Sequence, residues 1–342
     1  MSVSPVSSPL PLLFGKARRP LGWQGYTTEV PEGWNPGKYS GTRARGDLRV
    51  DDENGMRLEL RWEESQKTPD VEKSVANFLQ TLQKDAKKRK SAFQIVENPH
   101  IVSRGRKKKE QVTSFGWIGE AKSEASCGFG AAWFCPTCDR VTFAHIVGQP
   151  NEKVAKIERL AQEVLGPLEC HGEGGWDSWS FFDLQIEIPS EFELGRAQIL
   201  LSKIEMEWVR KRPVGLYGWG RRAERLKLWR FPAASALLSD IQLEDWTRFN
   251  LLNTHKQLVY PNPAEAGRVN GHDALIYGGK IKDPRQAVPV WFFDKLLRRV
   301  TPKPILHVWD CPLSNRIWAL ESEVSKANLH VGRQALDSLQ CH

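Results

Sequence analysis

Two cysteines separated by two residues on a tight turn can grip a tetrahedral metal ion from one side. Cys135-Pro136-Thr137-Cys138 has that spacing. Such a pair is half a site. A second thiol-imidazole pair, Cys170-His171, follows in the sequence. The strand leaving the Cys135–Cys138 turn runs away from it, and a helix packed back across the sheet would return Cys170-His171 toward it. Cys135, Cys138, Cys170 and His171 therefore make a candidate Cys3His centre. Zinc is the ion that suits the donors, in a structural rather than catalytic role, because no general base is paired with them. The competing reading is plain core packing, since Cys is a common small buried residue. Adjacent Cys and His would also have to reach one ion without strain. The wider stretch Trp133-Phe134-Cys135-Pro136-Thr137-Cys138-Asp139-Arg140 returns as Trp309-Asp310-Cys311-Pro312-Leu313-Ser314-Asn315-Arg316, both reading aromatic-x-Cys-Pro, three residues, then Arg, with Cys341-His342 after the second copy. Ser314 stands near the place of the second turn cysteine, so at most three ligands are expected there. On the sequence, the metal site belongs to the first copy alone.

The second chemical feature is charge. The chain carries a net +8. Residues 84–109 hold ten basic side chains (Lys84, Lys87, Lys88, Arg89, Lys90, Arg104, Arg106, Lys107, Lys108 and Lys109) against Asp85 and Glu97, so the whole excess is local. Lys87–Lys90 and Arg104–Lys109 bracket one short strand and could share a rim that attracts an acidic protein, nucleic acid or an anionic membrane surface. No aromatic residues interleave with them for base stacking. The bland alternative is a solvated helix end and a soluble loop. Trp291-Phe292-Phe293 with Lys295, Arg298 and Arg299 could form an amphipathic contact segment, although core is the commoner fate of such residues. His145, His255, His272 and His307 are scattered, with no carboxylate partner at catalytic spacing, and no Walker A, GxSxG or HExxH pattern occurs.

The elements that must position these residues read as strands and helices in alternating blocks. Met56, Leu58, Leu60 and Trp62 alternate with Arg57, Glu59 and Arg61, the period of a half-buried strand. Thr68-Pro69-Asp70 predicts a helix start with Thr68 as cap, and Val71, Val75, Phe78, Leu79 and Leu82 recur at helical spacing. Strands are expected over 46–50, 93–96, 112–118, 129–134 and 141–147. A helix capped by Asn151 follows, ending near Leu168. The second half repeats the plan, with strands over 182–188, 200–209, 225–231, 274–281, 305–309 and 317–320, a helix near 243–255 and a closing helix. Residues 282–304 read as an insertion.

Three landmarks recur in order: Val30-Pro31 and Ile188-Pro189, the two aromatic-x-Cys-Pro turns, and Leu168-Glu169-Cys170-His171 against Leu339-Gln340-Cys341-His342. This predicts a tandem duplication: an arm over 1–19, a first repeat over 20–171, a glycine-rich linker over 172–175 and a second repeat over 176–342. Each repeat is expected to be α+β, a meandering antiparallel sheet with helices packed on one face. The order of elements, with Val30-Pro31-Glu32-Gly33-Trp34 near the start and a hairpin and helix over 129–165 at the end, resembles the PsbP-like fold. The second copy departs from it, having Phe192 near the Trp34 position. That resemblance implies a non-enzymatic adaptor or binding module and assigns no functional residues.

With 40% hydrophobic residues, 14 Trp and 14 Phe, the chain can bury substantial cores. No apolar run approaches the length of a membrane helix, and the N-terminal residues lack the order of a secretory signal. The expected setting is therefore cytoplasmic and reducing, with the six cysteines free of structural disulfides. The expected function is a non-catalytic binding or adaptor protein with a basic rim. The alternatives are a metal-dependent enzyme or zinc-stabilised protein using Cys135, Cys138, Cys170 and His171, and a structural subunit of an oligomer.

Overall fold

The computed structural model describes residues 17–101, 112–121, 124–150, 152–172, 174–210, 223–254, 258–281 and 302–342. Arg104, Arg106, Lys107, Lys108 and Lys109, the Trp291 segment and His255 lie outside the described residues. The chain divides into two units, Met1–Phe182 and Asp183–His342.

The first unit opens with a hairpin, β1 (Arg18–Trp23) and β2 (Tyr26–Pro31), turned at Gln24 and Gly25, both at positive φ. Strands β3 (Asn35–Gly41), β4 (Arg45–Asp52) and β5 (Gly55–Glu64) form a meander. Helix α1 (Val71–Lys88) follows, then β6 (Phe93–Ile95), β7 (Val112–Ala121), β8 (Glu124–Cys135) and β9 (Arg140–Val147). These make a seven-stranded sheet in the order β3-β4-β5-β9-β8-β7-β6, with every pairing antiparallel. Helix α2 (Val154–Leu165) and β10 (Trp176–Phe181), paired with β1, complete the unit.

The second unit comprises β11 (Leu184–Pro189), β12 (Glu193–Leu200), β13 (Lys203–Arg210) and β14 (Glu224–Pro232), then the short helices α3 (Ala234–Leu237) and α4 (Leu243–Asn250). After them come β15 (Leu258–Val259), β16 (Glu265–Val269), β17 (His272–Gly278), β18 (Lys280–Ile281), β19 (Lys303–Cys311), β20 (Arg316–Val324) and helix α5 (Leu329–Ser338). Its main sheet runs β12-β13-β14-β20-β19-β17-β16. Position by position, this is the strand order of the first unit's sheet.

The expected α+β arrangement, with helices on one face, is overturned. Strands dominate the described residues, and the helices of each unit lie on opposite faces of the sheet. In the first unit Val71, Val75 and Leu79 of α1 pack with Phe115 and Ala132. On the other side Cys127 of β8 meets Ile157 of α2 around Gly148. Residues 127 and 132 differ in parity, and the β8 register runs without a shift, so they point to opposite faces. The sequence hid this because β8 has no alternation to read. From Cys127 to Trp133 every residue is buried, with Gly128, Gly130, Ala131 and Ala132 making room on both sides. The second unit does the same. Trp246 of α4 packs with Ile317 and Ala319, while Gly332 of α5 sits against Ser322.

Two local expectations also change. The cap of α1 is Asp70, whose carboxylate accepts the Lys73 N–H at 2.9 Å, rather than Thr68. The strand expected over 200–209 is β13, which starts at Lys203, and a further strand, β12, precedes it across a turn at Leu201-Ser202. That preceding strand is a largely exposed edge whose register shifts between Leu194 and Arg196, so apolar alternation does not mark it. No helix among the described residues is long and apolar enough to cross a membrane.

Candidate metal centres

The turn between β8 and β9 begins at Cys135, paired with Arg140, and is closed by Asp139 at φ 52°. Asp tolerates this left-handed conformation better than most residues. Strand alternation puts Cys135 on the face that α2 covers, together with Trp133 and Phe129. The chain leaving α2 is then tacked to β2: Glu169 N–H donates to the Thr27 carbonyl at 2.9 Å, and Thr27 N–H to the Glu169 carbonyl at 3.1 Å. The next two residues are Cys170 and His171, and this bridge holds them over the turn.

One donor atom from each of Cys135, Cys138, Cys170 and His171 lies within 4.8 Å of every other. Cys138 Sγ is 3.8 Å from Cys170 Sγ. His171 Nδ1 is 3.6 Å from Cys135 Sγ and 3.5 Å from Cys170 Sγ. Zinc–sulfur bonds of about 2.3 Å and zinc–nitrogen bonds of about 2.0–2.1 Å set tetrahedral edges of roughly 3.8 Å between sulfurs and roughly 3.5–3.6 Å between sulfur and nitrogen. The Cys138–Cys170, Cys135–His171 and Cys170–His171 edges have those lengths. Adjacent Cys and His thus both face one centre, through Nδ1 of the imidazole, contrary to the strain expected from the sequence.

The protonation of the thiols is polarised. Hydrogen bonds from Cys135 and Cys170 lower the Cys138 pKa, with the nearby Arg140 charge adding to the effect. Hydrogen bonding with Cys135 and Cys138, together with burial, raises that of Cys170. The cluster therefore ionises at Cys138 first.

Arg140, which sequence reasoning noticed only as the end of a motif, is the other part of this site. It is 1% exposed. Its Nη1 donates to the Gln24 carbonyl at 3.0 Å, its Nη2 donates to the Cys170 carbonyl, and its guanidinium lies 4.5 Å from the Tyr26 ring centroid. Burial opposes its charge, but Tyr26 and the Cys138 and Cys170 sulfurs outweigh burial and raise its pKa. A buried guanidinium needs anionic surroundings. Here the groups around it are the Tyr26 ring, the Gln24 and Cys170 carbonyls and the Cys138 and Cys170 sulfurs.

The structure also places the donors of His272, Cys311, Cys341 and His342 within 4.8 Å of one another. The expectation of at most three ligands in the second copy is corrected: His272, at the start of β17, supplies a fourth donor. The sequence offered a hairpin signal there, Asn270-Gly271, but nothing that tied the hairpin to Cys341.

The basic residues are placed only in part. Lys87, Lys88, Arg89 and Lys90 are all exposed at the end of α1, where cations suit the helix carbonyls. On the same side of the sheet as α1, an open groove of about 1080 Å³ is lined by Arg45, Arg61, Trp62, Phe78, Phe143 and His145 among others. Its walls carry both signs of charge. His145 is buried there, 3.4 Å from Glu59. Burial lowers its pKa to about 4, with Arg61 adding to the lowering and Glu59 opposing it. The unfolded chain takes up the proton nearer pH 6.5. The stability tied to neutral His145 is thus complete above pH 6.5 and is lost as the pH falls toward 4, roughly 3 kcal/mol in all. A His145→Gln variant is expected to show a flatter dependence of melting temperature on pH between 4 and 6.5 than the parent. An unchanged slope would show that His145 is not the group responsible.

No family model matches the sequence, and no curated protein matches it. Among solved structures, the apo immunity protein TplEi of the T6SS from Pseudomonas aeruginosa aligns over 94% of this chain and 96% of that one, at 12% identity and TM-score 0.33. TplEi complexed with "L" peptide aligns over 95% and 97%, at 10% identity and TM-score 0.32. The Tle4–Tli4 complex aligns over 95% of this chain and 97% of the matched one, at 11% identity and TM-score 0.31. The similarity is a loose one in chain path.

Proposed function

We propose that the protein is a non-catalytic binding protein whose first unit is held closed by a structural zinc ion on Cys135, Cys138, Cys170 and His171. The observation that carries this reading is that four side chains bring their donor atoms within 4.8 Å of one another, with the Cys138–Cys170, Cys135–His171 and Cys170–His171 edges at zinc-like lengths. A catalytic zinc keeps a corner open for water or substrate, whereas a structural one is closed. Three thiolates and one imidazole also make an electron-rich set that quenches Lewis acidity. The ion's work here is mechanical. It ties the β8–β9 turn to the segment after α2, alongside the Arg140–Cys170 hydrogen bond, the Thr27–Glu169 bridge and the α2 packing.

Binding is assigned to the exposed basic end of α1, with an anionic macromolecule as partner. The support is that Lys87, Lys88, Arg89 and Lys90 are exposed together, and that only Lys88 among them has an ion pair within the described residues, to Asp85 at 3.4 Å. A quadruple Lys87→Ser, Lys88→Ser, Arg89→Ser, Lys90→Ser variant tests this. Poly-glutamate, a DNA duplex and phosphatidylserine vesicles serve as probes of the three anionic classes. Affinity for at least one probe is expected to fall steeply with added salt, and to drop about tenfold or more in the variant. Indifference of every probe to both salt and substitution would remove the basic surface from the account. The zinc is tested separately, by elemental analysis.

A further inference from the structure

We propose that the second unit holds a metal ion of its own, a zinc on His272, Cys311, Cys341 and His342. This ion is additional to the one in the first unit, and neither needs the other. Cys311 and Cys341 are buried, His272 is half-buried and His342 is exposed. His342 Nδ1 lies 3.4 Å from Cys311 Sγ and 3.3 Å from Cys341 Sγ, and His272 Nε2 lies 3.3 Å from Cys341 Sγ. The two imidazoles meet edge to face with ring centroids 5.4 Å apart. Two sulfurs and two nitrogens at these separations form a closed Cys2His2 set, one of the standard structural zinc types.

The fold builds this site on purpose-made connections. The Cys311 turn repeats that of Cys135: Cys311 pairs with Arg316, and Asn315 before it has φ 52°. The segment leaving α5 is tacked to β11 by Gln340 N–H donating to the Gln185 carbonyl at 2.9 Å, as Glu169 is tacked to β2. The difference lies in the fourth corner. Where the first unit has Cys138 in the turn, the second has Ser314, and the missing donor comes from the neighbouring hairpin. That hairpin turns at Asn270 and Gly271, both at positive φ, and the Asn270 side-chain amide donates to the Leu339 carbonyl. This bond clamps the hairpin turn to the segment carrying Cys341, and His272 is the first residue after the turn.

The charges of the two sites are matched by their surroundings. A zinc with three thiolates and one neutral imidazole carries a net −1, and Arg140 is buried against it. A zinc with two thiolates and two neutral imidazoles is neutral and needs no counter-charge. Arg316, at the position of Arg140, is accordingly turned to a carboxylate instead, with its Nε 3.1 Å from Asp183. The exchange of Cys for His and the release of the arginine go together.

The full chain, purified with zinc, is expected to hold two ions, falling to one in His272→Ala, in His342→Ala and, independently, in Cys138→Ser. Because His342 is exposed, its replacement does not disturb the core and keeps the test open if His272→Ala folds poorly. Cobalt replacement gives a second readout. The sulfur-to-cobalt charge-transfer band should reflect two thiolates in Cys138→Ser, whose second-unit ion remains, and three in His342→Ala. A parent with one zinc that survives both histidine substitutions and is lost in Cys138→Ser overturns the second centre and leaves the first standing. One zinc lost in the histidine variants and kept in Cys138→Ser supports the second centre and removes the first. A parent without zinc overturns both.

Discussion

Cys135→Ser is expected to abolish zinc binding in the first unit and to lower stability by about 5 kcal/mol or more, a fall in melting temperature of roughly 10–20 °C. Zinc bound by a closed set of thiolate and imidazole ligands contributes about 10–16 kcal/mol of apparent binding free energy in small domains, and that energy is folding energy when the site exists only in the folded chain. The unit has a substantial core of its own, including Trp23, Trp133, Phe129 and Trp179, so its loss is smaller than that of a zinc finger, which unfolds altogether. Cys135 is fully buried, so a serine there also takes a hydroxyl out of water. Cys127→Ser separates the two effects. Cys127 is another buried thiol, with its pKa pushed up to about 11 by burial, but it belongs to neither cluster. Its serine variant is expected to keep the full zinc content and to lose only the 1–3 kcal/mol typical of an unsatisfied buried hydroxyl. If Cys135→Ser melts no lower than Cys127→Ser, the metal is not what holds the turn.

Arg140→Met is expected to cost at least about 3 kcal/mol and to weaken zinc binding by about 10–100-fold, read by competition with a chromophoric chelator. The guanidinium donates to the Gln24 and Cys170 carbonyls, and methionine leaves both without that donor. It also removes the positive charge beside the Cys138 and Cys170 sulfurs. Arg140→Lys restores the charge but not the planar fork that reaches two carbonyls, so it is expected to recover part of the zinc affinity and little of the stability. In the second unit, Arg316→Met has no such effect on zinc in this account, because Arg316 faces Asp183. Equal zinc affinity in Arg140→Met and the parent would show that the charge of Arg140 has no part in the centre.

The first cluster was legible in the sequence because its parts are local or simply related. Cys135 and Cys138 share one turn, and a helix between two layers returns the chain to where it started. The second cluster was half legible. Cys311, Cys341 and His342 follow the same logic, but His272 comes from a hairpin well upstream. The β17–β19 pairing sets its strand beside that of Cys311, and the Asn270 bond to Leu339 ties its turn to the Cys341 segment, and neither tertiary contact is written in the local sequence. Arg140 was visible as a repeated residue, but its burial was not, since a lone Arg at a strand start is ordinarily solvated. The two-sided burial of β8 was hidden for a related reason: glycine and alanine carry no apolar periodicity, so the opposite placement of α1 and α2 left no trace in the pattern. The two main sheets share one strand order, and in each unit a Cys-Pro turn is met by a Cys-His pair.

The central claim is that this chain is a metal protein. Its most direct test is the zinc content of the 342-residue chain, measured by elemental analysis after zinc loading and removal of loosely bound ion. The account predicts two zinc ions per chain, resistant to dilution and released by a strong chelator with a fall in melting temperature. A chain that retains no zinc, and whose melting temperature is the same with and without chelator, would contradict it.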